Sequence, residues 1–316
     1  MNDFAAFLRE LGLRPGAIVA DGKVRRCRTD DKPRRLNGAY WLAPDGRLGW
    51  GQNWAVHAEP VLWRPGTESS TPTFDPERLR QTWREARAKA RDAVREARAF
   101  YAACRPLRGG HPYLDAHGLD MAGCYGLKVD EDGWLVIPAY RAGQVMTVQR
   151  IAPDGTKRFW KGAPIKGASY TVERRGAVVT VLCEGLATGL ALYAAIPHAR
   201  VMVAFHAGNL AEVAKGLPGG LTVVAADNDH GTEARTGKNP GVLAAQAAAN
   251  LLGCGVAVPE GMQGTDWCDL RNERIRARLE TRLPHESDAA LRRAVDAEIE
   301  REVMRHARFR AAVLAS

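Results

Sequence analysis

The chain has 316 residues, 46% of them hydrophobic, which is enough for two or three small domains or one large one around a real core. Its 45 lysines and arginines against 36 aspartates and glutamates give a net charge of +9, so a polyanion such as nucleic acid is the expected class of partner. The N-terminus lacks a signal-peptide pattern and no stretch approaches the ~20 apolar residues that span a bilayer, so we expect a cytoplasmic protein without a membrane partner. The six cysteines form no C-x-x-C pair, so a zinc ribbon is not expected.

Residues 1–70 are predicted to form a small β-rich domain without zinc ligands. The stretch "RRLNGAYWLAPDGRLGWGQNW" has aromatic runs broken by Asn-Gly and Asp-Gly, which are strong turn signals. The four tryptophans of residues 1–70 either fill the core of a small sheet or stack on nucleic-acid bases. They are Trp41, Trp50, Trp54 and Trp63. A polar, proline-marked linker from Pro65 to Glu77 follows.

Residues 71–108 comprise this linker and a long basic helix that begins near Asp75, with Pro76 in its first turn. Residues 78–108 contain ten Lys/Arg and three Asp/Glu, so one face of the helix either follows a phosphate backbone or is a solvated charged surface. Residues 109–176 switch to β-rich signals with two hairpins. Their basic residues concentrate in the second half of the segment: Arg150, Lys157, Arg158, Lys161 and Lys166.

Residues 177–270 alternate apolar strands with helices, beginning with the strand "AVVTVLCEG". A continuous apolar strand is typical of a sheet buried on both faces, and the alternation predicts a parallel α/β sheet with helices on both sides. Residues 271–316 are predicted to be a charged, helical tail.

Acidic residues follow the strands of this predicted sheet. Glu184 ends the first strand, and Asp227 and Asp229 follow the third. Carboxyl ends of parallel strands meet at one edge, and residues i and i+2 point to the same side, so the three carboxylates are expected to lie together. Their repulsion is relieved by a divalent cation, and oxygen ligands favour Mg²⁺ or Mn²⁺. Asp266 and Asp269, in "QGTDWCDL", are expected at the same edge.

The loop after these aspartates invites a second interpretation, that of a phosphate-binding P-loop. Such a loop needs G-x-x-x-x-G-K-[ST], whereas here Gly231 and Gly237 are separated by five residues and Lys238 is followed by Asn239. We therefore reject an ATPase or helicase motor and treat the loop as a connector.

"VLCEG" followed by "VVAADND" resembles the Toprim domain that is shared by bacterial-type primases, type IA and II topoisomerases, certain nucleases and recombination proteins. "NPGVLAAQAAA", "GTDWCDL" and the upstream "LVIPAY…GQVMTVQRIAPDGTKRFWKGAPIKG" resemble primases of phages and conjugative plasmids, over most of residues 15–270. The resemblance implies an α/β fold, with a Toprim-type parallel sheet and flanking helices, preceded by a basic α+β subdomain and the small N-terminal β-rich domain. The chain departs from many bacterial-type primases in lacking the zinc-ribbon cysteines.

By this resemblance the chain is a DNA primase that makes short RNA primers on single-stranded DNA by metal-dependent nucleotidyl transfer. It implies Mg²⁺ or Mn²⁺ as cofactor, and a single-stranded DNA template, ribonucleoside triphosphates and a replicative helicase as partners. Glu184, Asp227 and Asp229 would be catalytic and hold the metal, assisted by Asp266 and Asp269. The basic residues would line the groove for template and nucleotide: Arg150, Lys157, Arg158, Lys161 and Lys166. Lys238 either touches nucleic acid or lies in a surface loop.

Two alternatives remain open at this point. A Toprim nuclease would use the same acids to hydrolyse a phosphodiester, although it has no need of a triphosphate site. A non-catalytic nucleic-acid-binding replication protein would gain nothing from clustered acids beside phosphate.

Overall fold

A computed structural model of the chain describes residues 2–57, 59–65 and 76–310. It divides into two units, residues 1–82 and 83–316, and helix α2 (Pro76–Ala103) runs across the division. This helix begins where the sequence predicted. Residues 66–75 of the predicted linker and residues 311–316 of the predicted tail lie outside the described residues.

The first unit is a short helix packed on a five-stranded antiparallel sheet, in agreement with the predicted β-rich domain. Its elements are α1 (Asn2–Glu10), β1 (Leu13–Arg14), β2 (Arg25–Thr29), β3 (Gly38–Leu42), β4 (Gly49–Asn53) and β5 (Val61–Trp63), and the strands pair in chain order. A Cβ on Gly49 would lie 2.5 Å from the ring of Phe4, and one on Gly51 would lie 2.8 Å from Leu8. Glycine at these positions therefore lets α1 approach the sheet closely.

The four tryptophans of this unit do not all fill its core, and their stacking on nucleic-acid bases stays a prediction. Trp63 packs against the small core. Trp41 and Trp50 are cross-strand partners, and they lie on the face away from α1 because the residues alternating with them face the core. Trp54 is exposed, and the Arg26 guanidinium lies 4.3 Å from the centroid of its ring.

The second unit begins with a five-stranded antiparallel sheet, here called the basic sheet. Its elements are β6 (Arg105–Pro106), α3 (Pro112–Ala116), β7 (Lys128–Val129), β8 (Leu135–Arg141), β9 (Gln144–Ile151) and β10 (Lys157–Phe159), with strand order β10-β9-β8-β7-β6. The C-terminal part of α2 covers one face of this sheet, where Phe100 packs against Val136 and Val148. Leu135 and Ile137, on the other face, join the large core of the unit.

A six-stranded sheet follows. Its elements are β11 (Tyr170–Glu173), β12 (Val179–Cys183), α4 (Leu186–Ala195), β13 (Ala199–Val203), α5 (Ala207–Lys215), β14 (Gly220–Ala225), α6 (His230–Thr236), α7 (Pro240–Leu252), β15 (Gly255–Ala257), α8 (Trp267–Glu280), α9 (Asp288–Met304) and β16 (Arg308–Arg310). The strand order is β11-β13-β12-β14-β15, and β12 to β15 are parallel. The edge strand β11 is antiparallel, as is β16, which pairs with the first half of β14.

Helices cover both faces of this sheet. Val181 and Val223 belong to the core beneath α4, α8 and α9, whereas Leu182 and Val224 belong to the core beneath α5 and α7. This alternation explains the uninterrupted apolar strands and confirms the predicted α/β fold class. The parallel pairing of β12 with β14 places the carboxyl ends of these two strands side by side.

The C-terminal part is helical, as the sequence predicted, and it packs into the core of the second unit. Helix α8 crosses the boundary that we predicted at residue 270, and Val295, Ile299 and Val303 of α9 are fully buried in the main core. The strand β16 was not predicted from the sequence. Within the part of the chain that the structure describes, no helix is long and apolar enough to cross a membrane.

Candidate active site

Four of the predicted acidic residues lie close together: Glu184 follows β12, Asp227 and Asp229 follow β14, and Asp266 is the N-cap of α8. The pKa of Asp227 is raised from 3.8 to about 8. Burial is the main cause, and the negative charges of Glu184, Asp266 and Asp229 contribute. Burial also raises the pKa of Glu184, with a further contribution from Asp229. The sequence therefore predicted correctly that these carboxylates share one edge of the sheet.

Helix N-termini hold three of these carboxylates. The Ala207 N–H, in the first turn of α5, hydrogen-bonds Glu184 and favours its charged form. Asp229 Oδ2 accepts from the Gly241 N–H at 2.9 Å, in the first turn of α7. Asp266 is the N-cap of α8, where its Oδ1 accepts from the N–H of Cys268 at 2.8 Å. Helix N-termini carry partial positive charge, so this arrangement offsets part of the mutual repulsion.

Asp227 is the exception, because its Oδ1 is buried and has no hydrogen-bond partner within the described part of the chain. An unpaired buried carboxylate oxygen among acids is costly unless a cation or a proton neutralises it. No three His, Cys, Asp or Glu side chains of the described residues are spaced to hold an ion by themselves. Mg²⁺ usually takes only one or two carboxylates, together with waters and substrate phosphates, so the donor set fits such an ion.

Asp269 makes a local contact that the sequence did not predict. Its Oδ2 accepts from the Thr265 N–H at 3.0 Å, and its own N–H donates to the N-cap Asp266 at 2.9 Å. This pattern resembles a capping box, except that the Asp269 side chain accepts from the N–H of the residue before the N-cap. The assignment of Asp269 to metal binding stays a prediction.

The segment between the aspartates and α7 differs from the connector loop that we expected, because it contains α6 and is anchored to the site. Asn239 accepts from the Asp229 N–H at 3.1 Å and donates to Asn228 Oδ1 at 2.9 Å. A Cβ on Gly241 would lie 2.3 Å from the backbone oxygen of Asp227. The segment therefore fixes the backbone of both aspartates. Lys238 is exposed at its end, and its contact with nucleic acid stays a prediction.

Lys157, on the edge strand β10 of the basic sheet, faces the acids. Its positive charge lowers the pKa of both Glu184 and Asp227. The Lys157 ammonium lies 5.5 Å from the centroid of the Tyr113 ring, and this buried tyrosine is close enough to Asp266 for the carboxylate to raise its pKa. The structure thus brings one predicted basic residue to the predicted acids.

Arg150 and Arg158 are cross-strand partners whose guanidinium groups lie 4.7 and 5.5 Å from the centroid of the Trp134 ring. Arg150 also donates to Asp130 at 2.7 Å, and the side chain of Asp130 is only 4% exposed. Arg150 therefore has an internal ion-pair partner. The predicted contact of Arg150 and Arg158 with nucleic acid stays a prediction.

Lys161 and Lys166 both follow β10 and are exposed. The Lys166 ammonium lies 3.5 Å from a carboxylate oxygen of Glu212. Neither lysine is placed against the acids by a described contact, and their predicted role in a groove stays a prediction.

Sequence reasoning missed several residues that shape the site. Tyr113 follows no recognisable motif, and Asn239 signals only a helix N-cap before Pro240. Phe205 has a left-handed backbone with φ of 73°, for which no sequence signal exists in a phenylalanine. These contacts join parts of the chain that are distant in sequence, so only the fold reveals them.

Residues 179–277 match the family model described as the Toprim domain, which spans β12, β14 and the acids Glu184, Asp227, Asp229, Asp266 and Asp269. The chain carries a Toprim domain. This confirms the resemblance drawn from the sequence.

Two curated proteins that are similar to this chain are both named DNA primase TraC and come from Escherichia coli. The first is 32% identical over 278 residues, which are 80% of this chain and 26% of the relative. The second is 30% identical over 279 residues, 80% of this chain and 19% of the relative. The chain therefore spans about a quarter or less of the length of these relatives.

Among solved structures, the primase fragment of the bacteriophage T7 primase-helicase protein matches with a TM-score of 0.37 at 14% identity. The match covers 57% of this chain and 79% of that one.

Proposed function

We propose that the chain is the catalytic part of a DNA primase, which joins ribonucleotides on a single-stranded DNA template by metal-dependent nucleotidyl transfer. The observation that carries the proposal is the unpaired, buried Asp227 Oδ1 among acids, faced by Lys157 from the basic sheet. The similarity of 80% of the chain to two DNA primases supports the same function.

In this proposal the acids and the lysine have different tasks. Asp227 and Glu184 would hold a divalent cation, Mg²⁺ or Mn²⁺, with Asp229 and Asp266 in support. Such an ion would supply Lewis-acid stabilisation of the negative charge that develops during phosphoryl transfer. Lys157 would pair with the triphosphate. Its charge already acts on the carboxylates of Glu184 and Asp227, so it would also reach an anion bound between them.

The helix N-termini would hold the acids in place when the cation is bound. The N–H groups of Ala207 and Gly241 contact Glu184 and Asp229, so these carboxylates need not rearrange during the reaction. Preorganised dipoles of this kind lower the cost of moving charge in the transition state.

Template DNA would lie along the basic sheet, whose exposed cations suit a phosphate backbone. Arg158, Lys161 and Lys166 follow or form the edge strand next to the acids. Each phosphate contact would release counterions, so DNA binding is expected to weaken as salt rises. A replicative helicase as partner and a cytoplasmic location stay predictions from the sequence.

The test incubates the full chain with single-stranded DNA of mixed sequence, labelled ribonucleotides and Mg²⁺ or Mn²⁺, beside an Asp227→Asn variant. We expect labelled oligomers that require template and metal and that are absent from the variant. Metal-dependent shortening of the DNA without oligomers would instead support a Toprim nuclease. Oligomers formed equally by the variant would contradict the assignment of the site.

A further inference from the structure

An aromatic cluster lies beside the acids, and nothing in the proposed catalytic steps uses it. The rings of Phe159 and Phe205 have centroids 5.8 Å apart, and those of Phe159 and His206 have centroids 6.3 Å apart. Phe159 comes from β10 of the basic sheet, whereas the other two residues follow β13 of the parallel sheet. The cluster therefore bridges the two sheets that meet at the candidate active site.

The backbone joins this cluster directly to Glu184. Phe205 has φ of 73°, a left-handed conformation that is unfavourable for an aromatic residue. Its N–H donates to the Glu184 carbonyl at 2.8 Å, and the preceding Ala204 N–H donates to Cys183 at 2.9 Å. The same turn leads to Ala207, whose N–H contacts the Glu184 carboxylate. Such strain is retained where the surroundings impose it, and functional sites are where it clusters.

Phe159 is the exposed member of the cluster. Its side chain is 37% exposed, and it lies on the same side of β10 as Lys157, because residues i and i+2 of a strand face the same way. Its ring meets Phe205 at 75° and His206 at 84°, so neither ring lies flat against it. Burial lowers the pKa of His206, so near pH 7 its imidazole is neutral and adds no charge to the apolar surface.

We propose that Phe159, supported by Phe205 and His206, forms a nucleobase shelf on which the base of the incoming ribonucleotide stacks. The inference rests on the proposed function, since it places the triphosphate at the acids and Lys157. The exposed ring of Phe159, beside Lys157 and the acids, is suited to stack against the planar base of a bound nucleotide. Aromatic stacking accepts every base, as a template-directed polymerase requires.

The test measures the affinity of the full chain for ATP and for inorganic tripolyphosphate, both with Mg²⁺, by isothermal titration calorimetry. Phe159→Ala is expected to weaken ATP binding about tenfold, as removal of one stacked aromatic contact does. Tripolyphosphate has no base, so its affinity should be unchanged. Phe159→Trp should restore the ATP affinity, because a larger ring preserves stacking.

Phe309 provides a matched control. It is a 76% exposed phenylalanine on β16, and it pairs with Leu221 near the amino end of β14, opposite to the acids. Phe309→Ala should leave both affinities unchanged. An equal loss of ATP and tripolyphosphate binding in Phe159→Ala, or no loss of either, would overturn the shelf, as would a wild-type protein that binds no ATP.

Failure of the shelf and failure of the proposed function give different results. A wild-type chain that makes RNA while Phe159→Ala binds ATP normally would refute the shelf alone. If the wild type makes no RNA, but Phe159→Ala selectively weakens ATP binding, the proposed function is refuted and the shelf is supported.

Discussion

Replacing Asp227 by asparagine is expected to stabilise the metal-free protein while it abolishes catalysis. Burial and three neighbouring acids raise the pKa of this carboxyl to about 8. The folded protein therefore keeps a proton that the unfolded chain has lost, and the stability of the wild type falls as pH rises from about 4 to about 8. Asparagine does not titrate, so the advantage of the variant should grow over the same range.

The size of the effect follows from the shift in pKa. Moving from 3.8 to about 8 corresponds to an upper limit of about 6 kcal/mol at pH 8, at 1.36 kcal/mol per unit. The side chain is only partly buried, and water and relaxation reduce this cost, so we expect a gain of about 2 kcal/mol. For a unit of this size that gain corresponds to a rise in Tm of roughly 4–8 °C.

The assay is thermal unfolding followed by circular dichroism in EDTA, at pH 5.5 and pH 8.5. Asp132→Asn, at a carboxylate that is 76% exposed, serves as the control and should show no comparable gain. The reasoning is refuted if Asp227→Asn is less stable than the wild type at pH 8.5. It is also refuted if the difference in Tm is the same at both pH values.

Three further predictions concern the surroundings of the acids. Gly241→Ala should reduce synthesis at least tenfold, because its Cβ would lie 2.3 Å from a backbone oxygen of the Asp-x-Asp pair, whereas Gly231→Ala meets nothing within 4 Å and should behave as wild type in the same primer assay. Arg150→Ala should lower the free energy of unfolding by about 2–3 kcal/mol in urea titrations, since it leaves Asp130 buried without its cation; unchanged stability would contradict this structural role. Lys157→Met should move the acidic limb of the pH–rate profile to higher pH, because it removes a charge that lowers the pKa of the acids; a shift to lower pH would be inconsistent with the site.

Much of the fold was predictable because its signals are local. Uninterrupted apolar strands alternating with helices are imposed by a parallel sheet covered on both faces, as Val181 and Leu182 illustrate by packing on opposite sides. The Asp-x-Asp spacing and the strand-end position of Glu184 are enough to bring the acids together, because topology brings the carboxyl ends of β12 and β14 side by side.

The rest depends on contacts between distant parts of the chain. The sequence could not reveal that Asp130 forms an ion pair with Arg150, since the two residues are brought together only by the basic sheet. The sequence did predict that residues 288–304 are helical, but it did not show that this helix packs into the main core, because charged residues alternate there with the few apolar ones that face inward. The short helix α6 was missed since its residues are exposed and carry no apolar periodicity.

The most direct test of the central claim is the chemical identity of the product's 5′ end. The full chain is incubated with unlabelled single-stranded DNA, four ribonucleotides and Mg²⁺, and the oligomers are analysed by mass spectrometry beside those of Glu184→Gln. A strand begun from two free nucleotides carries a 5′-triphosphate, and we predict short RNA with this end group that is absent from the variant. Oligomers without a 5′-triphosphate, or identical products from Glu184→Gln, would contradict primer synthesis at this site.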